Sequence, residues 1–292
     1  MRCTRNRILV FLLTFAFCLL PFNVSSTAAE LSEIQRRGYL TVAVKDNLPP
    51  LGFRDAGGNL QGLEIDLAKA LASDLLGKPN AVKLQPVANR DRLSKVLDNK
   101  VDIAIARVTA TESRARLVSF SLPYYFDGTR LITKDSSVQR LSNLAKQKIA
   151  VLEHSSTIAT IRYYVPQAEL VGVKSYHQAR SLLESNGAIA FAADGSVLSG
   201  WVQQYPQYRL LSTKLSTEPL SVVMPKGLQY DPLRREINSA IARYLEAGWL
   251  QQRAQYWGLP SSELKITSDV NQNGKQKSYY RNRPQMDTDK HR

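Results

Sequence analysis

The apolar positions in the middle of the chain recur at two spacings, one typical of helices and one typical of strands. In residues 63–76, Leu67, Leu71 and Leu75 lie about one turn apart and Gly77 follows, so this segment predicts an amphipathic helix closed by glycine. Short runs rich in Val, Ile, Leu and Ala predict strands. The predicted strands are 39–45, 81–87, 101–106, 148–153, 169–173, 188–193 and 220–224, and the other predicted helices are 91–97, 156–164, 176–184 and 231–247.

The alternation of strand and helix patterns predicts an α/β fold with mostly parallel sheets. The pattern forms two series, one before and one after the segment around residue 130. About 230 residues are long enough for two small lobes. Periodicity alone does not say how the two series are joined.

The amino terminus has the pattern of a secretory signal. Arginines at positions 2, 5 and 7 precede an apolar run from Ile8 to Leu20, and small residues follow up to Ala29. The run is shorter than the roughly 20 residues that a membrane-spanning helix needs. We therefore predict that residues 1–29 are a signal peptide, cleaved near Ala28 or Ala29, and that the mature protein is exported.

The composition of the mature chain argues against several classes of site. Both cysteines, Cys3 and Cys18, lie in the predicted signal, and His154, His177 and His291 are widely spaced, so we expect no metal site and no cofactor. Loss of the three signal arginines lowers the net charge from +14 to +11. No basic stripe with interleaved aromatic residues accompanies this charge, so we expect no nucleic-acid partner.

The last 32 residues differ in composition from the rest. Residues 261–292 contain few apolar positions, no periodicity, and seven Lys or Arg against four Asp or Glu. Segments of this kind cannot bury enough apolar surface to fold, so we predict a disordered basic tail.

The most informative segment is residues 101–125, with the sequence VDIAIARVTATESRARLVSFSLPYY. A predicted strand is followed by Thr109 and Thr111, and Arg114 lies three residues after Thr111. Hydroxyls at a helix start, with a guanidinium one turn later, are suited to binding a carboxylate. The alternative is a capped helix with a solvated arginine.

The strand, the T-x-T-x-x-R helix start and the F-S-x-P-Y-Y run together resemble the ligand-binding segment of family 3 periplasmic solute-binding proteins, the amino-acid receptors of ABC importers. Four further blocks resemble this family in the same order, over nearly all of 31–260. They are VAVKDNLPPLGFRDAGGNLQGLEIDLAKALASDLLG, ANRDRLSKVLDNKVD, KIAVLEHSST and AIAFAADGSVL. The second block is closest to the acidic amino-acid receptors.

This resemblance implies a two-lobe periplasmic binding protein fold of type II, with the ligand in a cleft between lobes that close by a hinge motion. Lobe 1 would comprise 30–128 and 225–260, and lobe 2 would comprise 135–217. Residues 129–134 and 218–224 would be the hinge strands.

The resemblance also implies roles for single residues. Arg114 matches the arginine that grips the ligand α-carboxylate, and Thr109 matches the hydroxyl residue that assists it. Asp194 matches the carboxylate that holds the α-ammonium. Ser156 and Thr157 match hydroxyls that approach the carboxylate from lobe 2. For Asp194, Ser156 and Thr157 the alternative interpretation is helix capping.

Three cations fall in segments that the family places at the cleft, namely Lys45, Arg90 and Arg107. Together they would make the side-chain pocket positive and favour glutamate, aspartate or glutamine. The sequence departs from the family at His154, where glycine is usual, and at Arg107, where a small or neutral residue is usual.

We therefore predict a monomeric receptor that delivers a polar or acidic L-amino acid to the membrane permease of an ABC importer and is not an enzyme. The alternative is a cyclohexadienyl or arogenate dehydratase on the same fold, which needs a cleft carboxyl group with a raised pKa. Asp194, Glu153 and Asp46 are the candidate acids. A receptor sensor module is a third alternative, disfavoured because no apolar stretch of spanning length follows the lobes.

Overall fold

The computed structural model describes residues 30–78 and 80–260. The predicted signal at 1–29 and the predicted tail at 261–292 lie outside the described residues. Among the helices of the described part, none combines the length and the apolar character needed to cross a membrane.

Short strands and helices alternate along the described chain. The strands are β1 (Leu40–Val44), β2 (Asn47–Leu48), β3 (Gly52–Arg54), β4 (Leu60–Gln61), β5 (Val82–Pro86), β6 (Ile103–Ile105), β7 (Ser119–Asp127), β8 (Thr129–Thr133), β9 (Lys148–Leu152), β10 (Glu169–Val173), β11 (Ala190–Asp194), β12 (Arg209–Leu210) and β13 (Glu218–Met224). The helices are α1 (Leu31–Arg37), α2 (Leu63–Leu76), α3 (Ser94–Leu97), α4 (Glu112–Ala115), α5 (Thr157–Tyr164), α6 (Tyr176–Glu184), α7 (Gly195–Gln204), α8 (Asp231–Glu246) and α9 (Trp249–Tyr256).

The strands form two five-stranded sheets and one small sheet. The first large sheet has the order β5-β1-β6-β13-β7, the second has the order β10-β9-β11-β8-β12, and β2, β3 and β4 form the small one. The predicted α/β fold is confirmed, and each large sheet is mostly parallel, with four strands running in one direction and one strand against them. In the first sheet β13 runs antiparallel to both neighbours, and in the second β8 does so. A strand that runs parallel to the preceding strand of its sheet is reached through a crossover connection. β8 has no such connection, because the chain enters it directly from β7 of the other sheet.

Each large sheet has its own core. Leu67 and Leu71 of α2 pack with Val42 and Val44 of β1 and with Ile237 of α8 beneath the first sheet. The second sheet is covered on its two faces by separate clusters. One includes Ile149, Val151 and Ile161, and the other includes Phe191, Leu198 and Trp201. The two cores explain why the sequence shows two separate αβ series.

The chain passes between the sheets twice, at Gly128 and between β12 and β13. The two crossings lie side by side. A hydrogen bond joins them, in which the N–H of Leu215 donates to the carbonyl of Thr129 at 2.9 Å. The predicted lobe boundaries and hinge strands are interpretations of this arrangement and stay predictions. What the crossings do establish is that Asp127 and Glu218, paired in register on β7 and β13, lie at the junction of the sheets.

Candidate functional site

Arg107 links the two sheets. It lies two residues after the end of β6 in the first sheet, and its guanidinium donates a hydrogen bond to Asp194, the last residue of β11 in the second sheet. Its Nε lies 3.7 Å from Oδ2 of Asp127 at the crossing. Burial by itself would lower the pKa of Arg107, but the carboxylates of Asp194 and Asp127 raise it. The three side chains therefore lie together at the junction of the sheets.

The backbone of Arg107 is held as firmly as its side chain. Its φ of 49° lies in the left-handed region, which a residue with a long side chain rarely adopts. Its N–H donates to Oε1 of Glu64 at 2.7 Å, and its carbonyl accepts from Nη1 of Arg92 at 2.5 Å. Glu64 reaches it from the first turn of α2. These contacts hold the backbone of Arg107, and with it the Cα atom that carries the side chain, in one position.

Asp194 occupies the N-cap position of α7, yet its side chain makes no capping hydrogen bond. Asp127 serves the helix start instead, since its Oδ1 accepts from the N–H of Ser196 at 2.9 Å and its Oδ2 accepts from the hydroxyl of Ser196. The capping alternative for Asp194 is therefore wrong. Its carboxylate is turned toward Arg107.

Thr109, Thr111 and Arg114 lie together after β6. Thr111 caps α4, accepting from the N–H of Arg114 at 3.4 Å. Nη1 of Arg114 donates to the carbonyl of Thr109 at 2.9 Å, and the hydroxyl of Thr109 donates to Oε2 of Glu218 at 3.4 Å. Arg114 is half-buried, and within the ranges 30–78 and 80–260 no carboxylate forms an ion pair with it. Its fork is therefore oriented by the backbone while the charge is not neutralised.

The other predicted cations differ in their surroundings. Lys45 is buried, and its Nζ donates to the carbonyl of Val87 at 2.8 Å. Burial lowers the pKa of Lys45, and nearby Arg92 lowers it further. Arg90 is 88% exposed and contacts Asp91 at 3.5 Å, so the structure does not bring it together with Lys45 and Arg107.

Arg92 lies near Lys45 and Arg107, and the sequence interpretation did not predict it. Its Nη1 donates to the carbonyls of Ala106 at 3.0 Å and Arg107 at 2.5 Å. The N-R-D-R run contains both Arg90 and Arg92, and nothing in the sequence indicates which arginine faces inward. Burial lowers the pKa of Arg92, and Arg107 and Arg114 lower it further.

Ser156 and Thr157 lie at the start of α5, beside the second sheet. Ser156 is exposed and makes no side-chain cap, whereas Thr157 is buried. No hydrogen bond among the described residues joins either to the Arg107 group. His154 precedes them with a φ of 60°, a left-handed conformation that glycine adopts readily. The departure at His154 thus preserves the loop conformation that glycine would allow.

Two carboxyl groups near Arg107 hold their protons unusually tightly. Burial raises the pKa of Asp194, against the opposing effect of Arg107. Burial also raises the pKa of Glu218, and the charges of Asp194 and Asp127 raise it further. Glu218 was not predicted as a site residue. Its position at the start of a strand that follows the second crossing could have indicated it. By contrast, Asp46 contacts Arg54 at 3.4 Å, and Glu153 is exposed.

A third carboxyl group, Glu64, is fully buried and contacts the backbone of Arg107. Its Oε1 accepts from the hydroxyl of Tyr124 at 2.6 Å as well as from Arg107, while its Oε2 has no hydrogen-bond partner. Burial raises the pKa of Glu64 despite these two donors. The described residues contain no cluster of three His, Cys, Asp or Glu side chains able to hold a metal ion.

We expect Glu64→Gln to flatten the pH dependence of stability. Since the pKa of Glu64 is raised, the folded protein binds more protons than the unfolded chain above the usual carboxyl pKa of about 4.3. As the pH rises above about 4.3, the free energy of unfolding of the wild type should therefore fall more steeply than that of the variant. Urea unfolding over this pH range measures the difference.

The control for this comparison is Glu236→Gln, an exposed carboxylate on α8. It should leave the wild-type slope unchanged. Equal slopes for wild type and Glu64→Gln would contradict the expectation.

Comparison with known proteins gives concordant matches. The profile of the bacterial extracellular solute-binding proteins, family 3, matches residues 40–260. A glutamine-binding protein of Geobacillus stearothermophilus is 32% identical over 203 residues, covering 68% of this chain and 78% of the relative. The ABC transporter glutamine-binding protein of Bacillus subtilis (strain 168) is 26% identical over 230 residues, covering 78% of this chain and 84% of the relative.

Among solved structures, an ancestral amino acid-binding protein described as a precursor of cyclohexadienyl dehydratase superposes with a TM-score of 0.62. It is 25% identical, and the match covers 79% of this chain and all of the other.

Proposed function

The chain belongs to the bacterial extracellular solute-binding proteins of family 3, and on that basis we propose that it is a receptor for a polar or acidic L-amino acid. It captures the amino acid between the two sheets and delivers it to the permease of an ABC importer. The observation that carries the proposal is Arg114, an oriented guanidinium with no carboxylate partner among the described residues. The names of the glutamine-binding relatives support it.

In this proposal Arg114 and Thr109 bind the α-carboxylate. The carbonyl of Thr109 holds one nitrogen of Arg114 at 2.9 Å, which leaves the rest of the planar fork for two parallel hydrogen bonds to a carboxylate. Ser156 and Thr157 add hydroxyl donors from the second sheet when the lobes close.

Asp194 binds the α-ammonium. It is a largely buried carboxylate facing the first sheet, and a buried charge is stable only when it is paired. Because the carboxylate partner and the ammonium partner belong to different sheets, the ligand stabilises the closed arrangement of the lobes.

The side-chain pocket is lined by cations. Lys45 and Arg92 lie within electrostatic reach of each other and of Arg107. The exposure of Arg90 leads us to assign to Arg92 the role that the sequence suggested for Arg90. A positive pocket favours glutamate and aspartate, tolerates glutamine and repels lysine and arginine.

The receptor acts as a monomer in the periplasm after cleavage of the signal near Ala28 or Ala29. Family 3 proteins are named as extracellular, which supports an exported receptor. The permease is its membrane partner.

We expect the melting temperature of the mature protein to rise with glutamate, aspartate or glutamine. A ligand at one hundred times its dissociation constant stabilises the folded state by about 2.7 kcal/mol, which a thermal-shift assay detects readily. Lysine and arginine at the same concentration serve as matched controls and should produce smaller shifts. If all twenty amino acids leave the melting curve unmoved, the amino-acid receptor proposal fails.

A second candidate function is dehydration of a cyclohexadienyl substrate. Glu218 supports this function, because a carboxyl group with a raised pKa is suited to act as a general acid. It also lies near Arg114, since Thr109 forms hydrogen bonds with both side chains. Incubation of the mature protein with arogenate or prephenate separates the two functions. Formation of phenylalanine or phenylpyruvate above the uncatalysed rate would favour the enzyme, and no product is expected of the receptor.

A further inference from the structure

The ammonium group of a bound amino acid needs a carboxylate partner, but the carboxylates at this site already have a cation beside them, the guanidinium of Arg107. Its guanidinium donates to Asp194 and lies beside Asp127, and its side chain is only 20% exposed. The other two carboxyl groups nearby also have donors. Glu64 accepts from Tyr124 and Arg107, and Glu218 accepts from hydroxyls of Thr109 and Ser216.

An incoming ammonium therefore has to displace a guanidinium that is tethered in place. The backbone of Arg107 is held by Glu64 and Arg92, so the side chain cannot move away as a whole. Displacement would separate a nearly buried guanidinium from two carboxylates, and breaking such pairs is costly. A ligand that brings a carboxylate but no ammonium avoids this exchange.

The Arg107 guanidinium also retains a donor for a ligand oxygen. Its Nε–H is buried and has no hydrogen-bond acceptor among the described residues. A hydroxyl or oxo oxygen on the carbon beside the ligand carboxylate has the acceptor chemistry that this donor needs. An ammonium group in the same place has only donors and would face a like charge.

We propose that Arg107 determines the ligand class by acting as a built-in substitute for the ligand ammonium. The cleft thus accepts carboxylates without an α-amino group, such as dicarboxylates and 2-oxo or 2-hydroxy acids, at least as well as the corresponding amino acids. This inference rests on the proposed function, because it uses Arg114 as the carboxylate partner and Asp194 as the ammonium partner.

Calorimetry with glutamate, glutarate and 2-oxoglutarate on the wild type and on Arg107→Gly tests the proposal. Glycine is chosen because the φ of 49° is readily adopted without a side chain and the N–H to Glu64 is kept. The wild type should bind glutarate or 2-oxoglutarate within about threefold of glutamate, or more tightly. In Arg107→Gly the order should reverse, with glutamate at least about tenfold tighter than either analogue, because Asp194 then needs the ligand ammonium.

Two further variants make the result specific. Arg107→Lys keeps a cation and should keep the wild-type ranking of the three ligands. Arg235→Ala removes the same charge from an exposed position on α8 and should change no ratio between ligands. Circular dichroism and melting curves establish that each variant is folded.

The outcomes separate this inference from the proposed function. Wild type that binds glutamate more than about one hundredfold tighter than both analogues overturns the role of Arg107 and leaves the receptor proposal standing. An unchanged glutamate-to-glutarate ratio in folded Arg107→Gly overturns it as well. Binding of the analogues without any amino acid supports the role of Arg107 and overturns the amino-acid proposal, and binding of no carboxylate by any variant overturns both.

Discussion

Arg114→Ala is expected to weaken the binding of every carboxylate ligand, whatever its side chain. The guanidinium is oriented by the carbonyl of Thr109 and has no carboxylate partner among the described residues, so the ligand supplies the anion that it lacks. Removal of one member of a buried, hydrogen-bonded charge pair costs roughly 2–5 kcal/mol, so the dissociation constant should rise at least tens of fold. Calorimetry with glutamate and glutamine measures the change.

Two variants control this measurement. Arg114→Lys should recover only part of the affinity, because an ammonium cannot reproduce the two-donor fork. Arg116→Ala removes an exposed arginine two residues away and should bind as the wild type does. Wild-type affinity in a folded Arg114→Ala protein would refute the assignment.

Gly62→Ala is expected to cause a large loss of stability. Gly62 has a φ of 123°, and an added Cβ would lie 2.3 Å from the carbonyl oxygen of Leu51 and 2.8 Å from that of Pro50. These carbonyls accept from the N–H groups of Glu64 and Leu63 at the start of α2. We expect a loss of roughly 3 kcal/mol or more, since backbone strain adds to a displaced helix start.

The matched substitution lies at the other end of the same helix. Gly77 also has a positive φ, 70°, but an added Cβ would meet no atom within 4 Å. Gly77→Ala should therefore cost only about 1 kcal/mol, the conformational penalty alone. Urea unfolding of both variants compares them, and equal losses would show that the close approach at Leu51 does not matter.

Local signals determined how well each element could be predicted. The bounds of α2 and α6 were predicted correctly, because apolar periodicity and end residues such as Gly77 lie within the segments themselves. The helix predicted at 91–97 is shorter, with a 3₁₀ turn at Asn89–Asp91 and an α-helix only at Ser94–Leu97. The strand predicted at 101–106 is also shorter, at Ile103–Ile105, and the chain enters the left-handed region two residues later at Arg107.

Elements that depend on distant partners were missed. β7 contains Pro123 and pairs with β13 through a ladder with irregular register, so neither composition nor spacing reveals it. α7 and α9 were missed as well, although Val197 and Trp201 of α7 and Leu250 and Ala254 of α9 lie at helical spacing. The small β2-β3-β4 sheet consists of two- and three-residue strands, too short for a pattern.

The candidate site was predicted residue by residue but not as an arrangement. The pattern of a helix start pointed to Thr109 and Arg114, and the resemblance to the family pointed to Asp194. The contact between Arg107 and Asp194 joins residues 87 positions apart on different sheets, and only the packing of the lobes brings them together. Arg107 was expected to line a side-chain pocket, and the structure places its guanidinium beside the carboxylates of Asp194 and Asp127.

The register of β7 and β13 places the carboxylates of Asp127 and Glu218 opposite each other where the chain changes sheets. Like charges in such positions repel, and Glu218 already takes up a proton more readily than an ordinary glutamate. An anionic ligand arriving at Arg114, which Thr109 connects to Glu218, adds further negative potential and favours that proton. By reciprocity, binding of an anionic ligand at Arg114 and uptake of a proton by Glu218 favour each other.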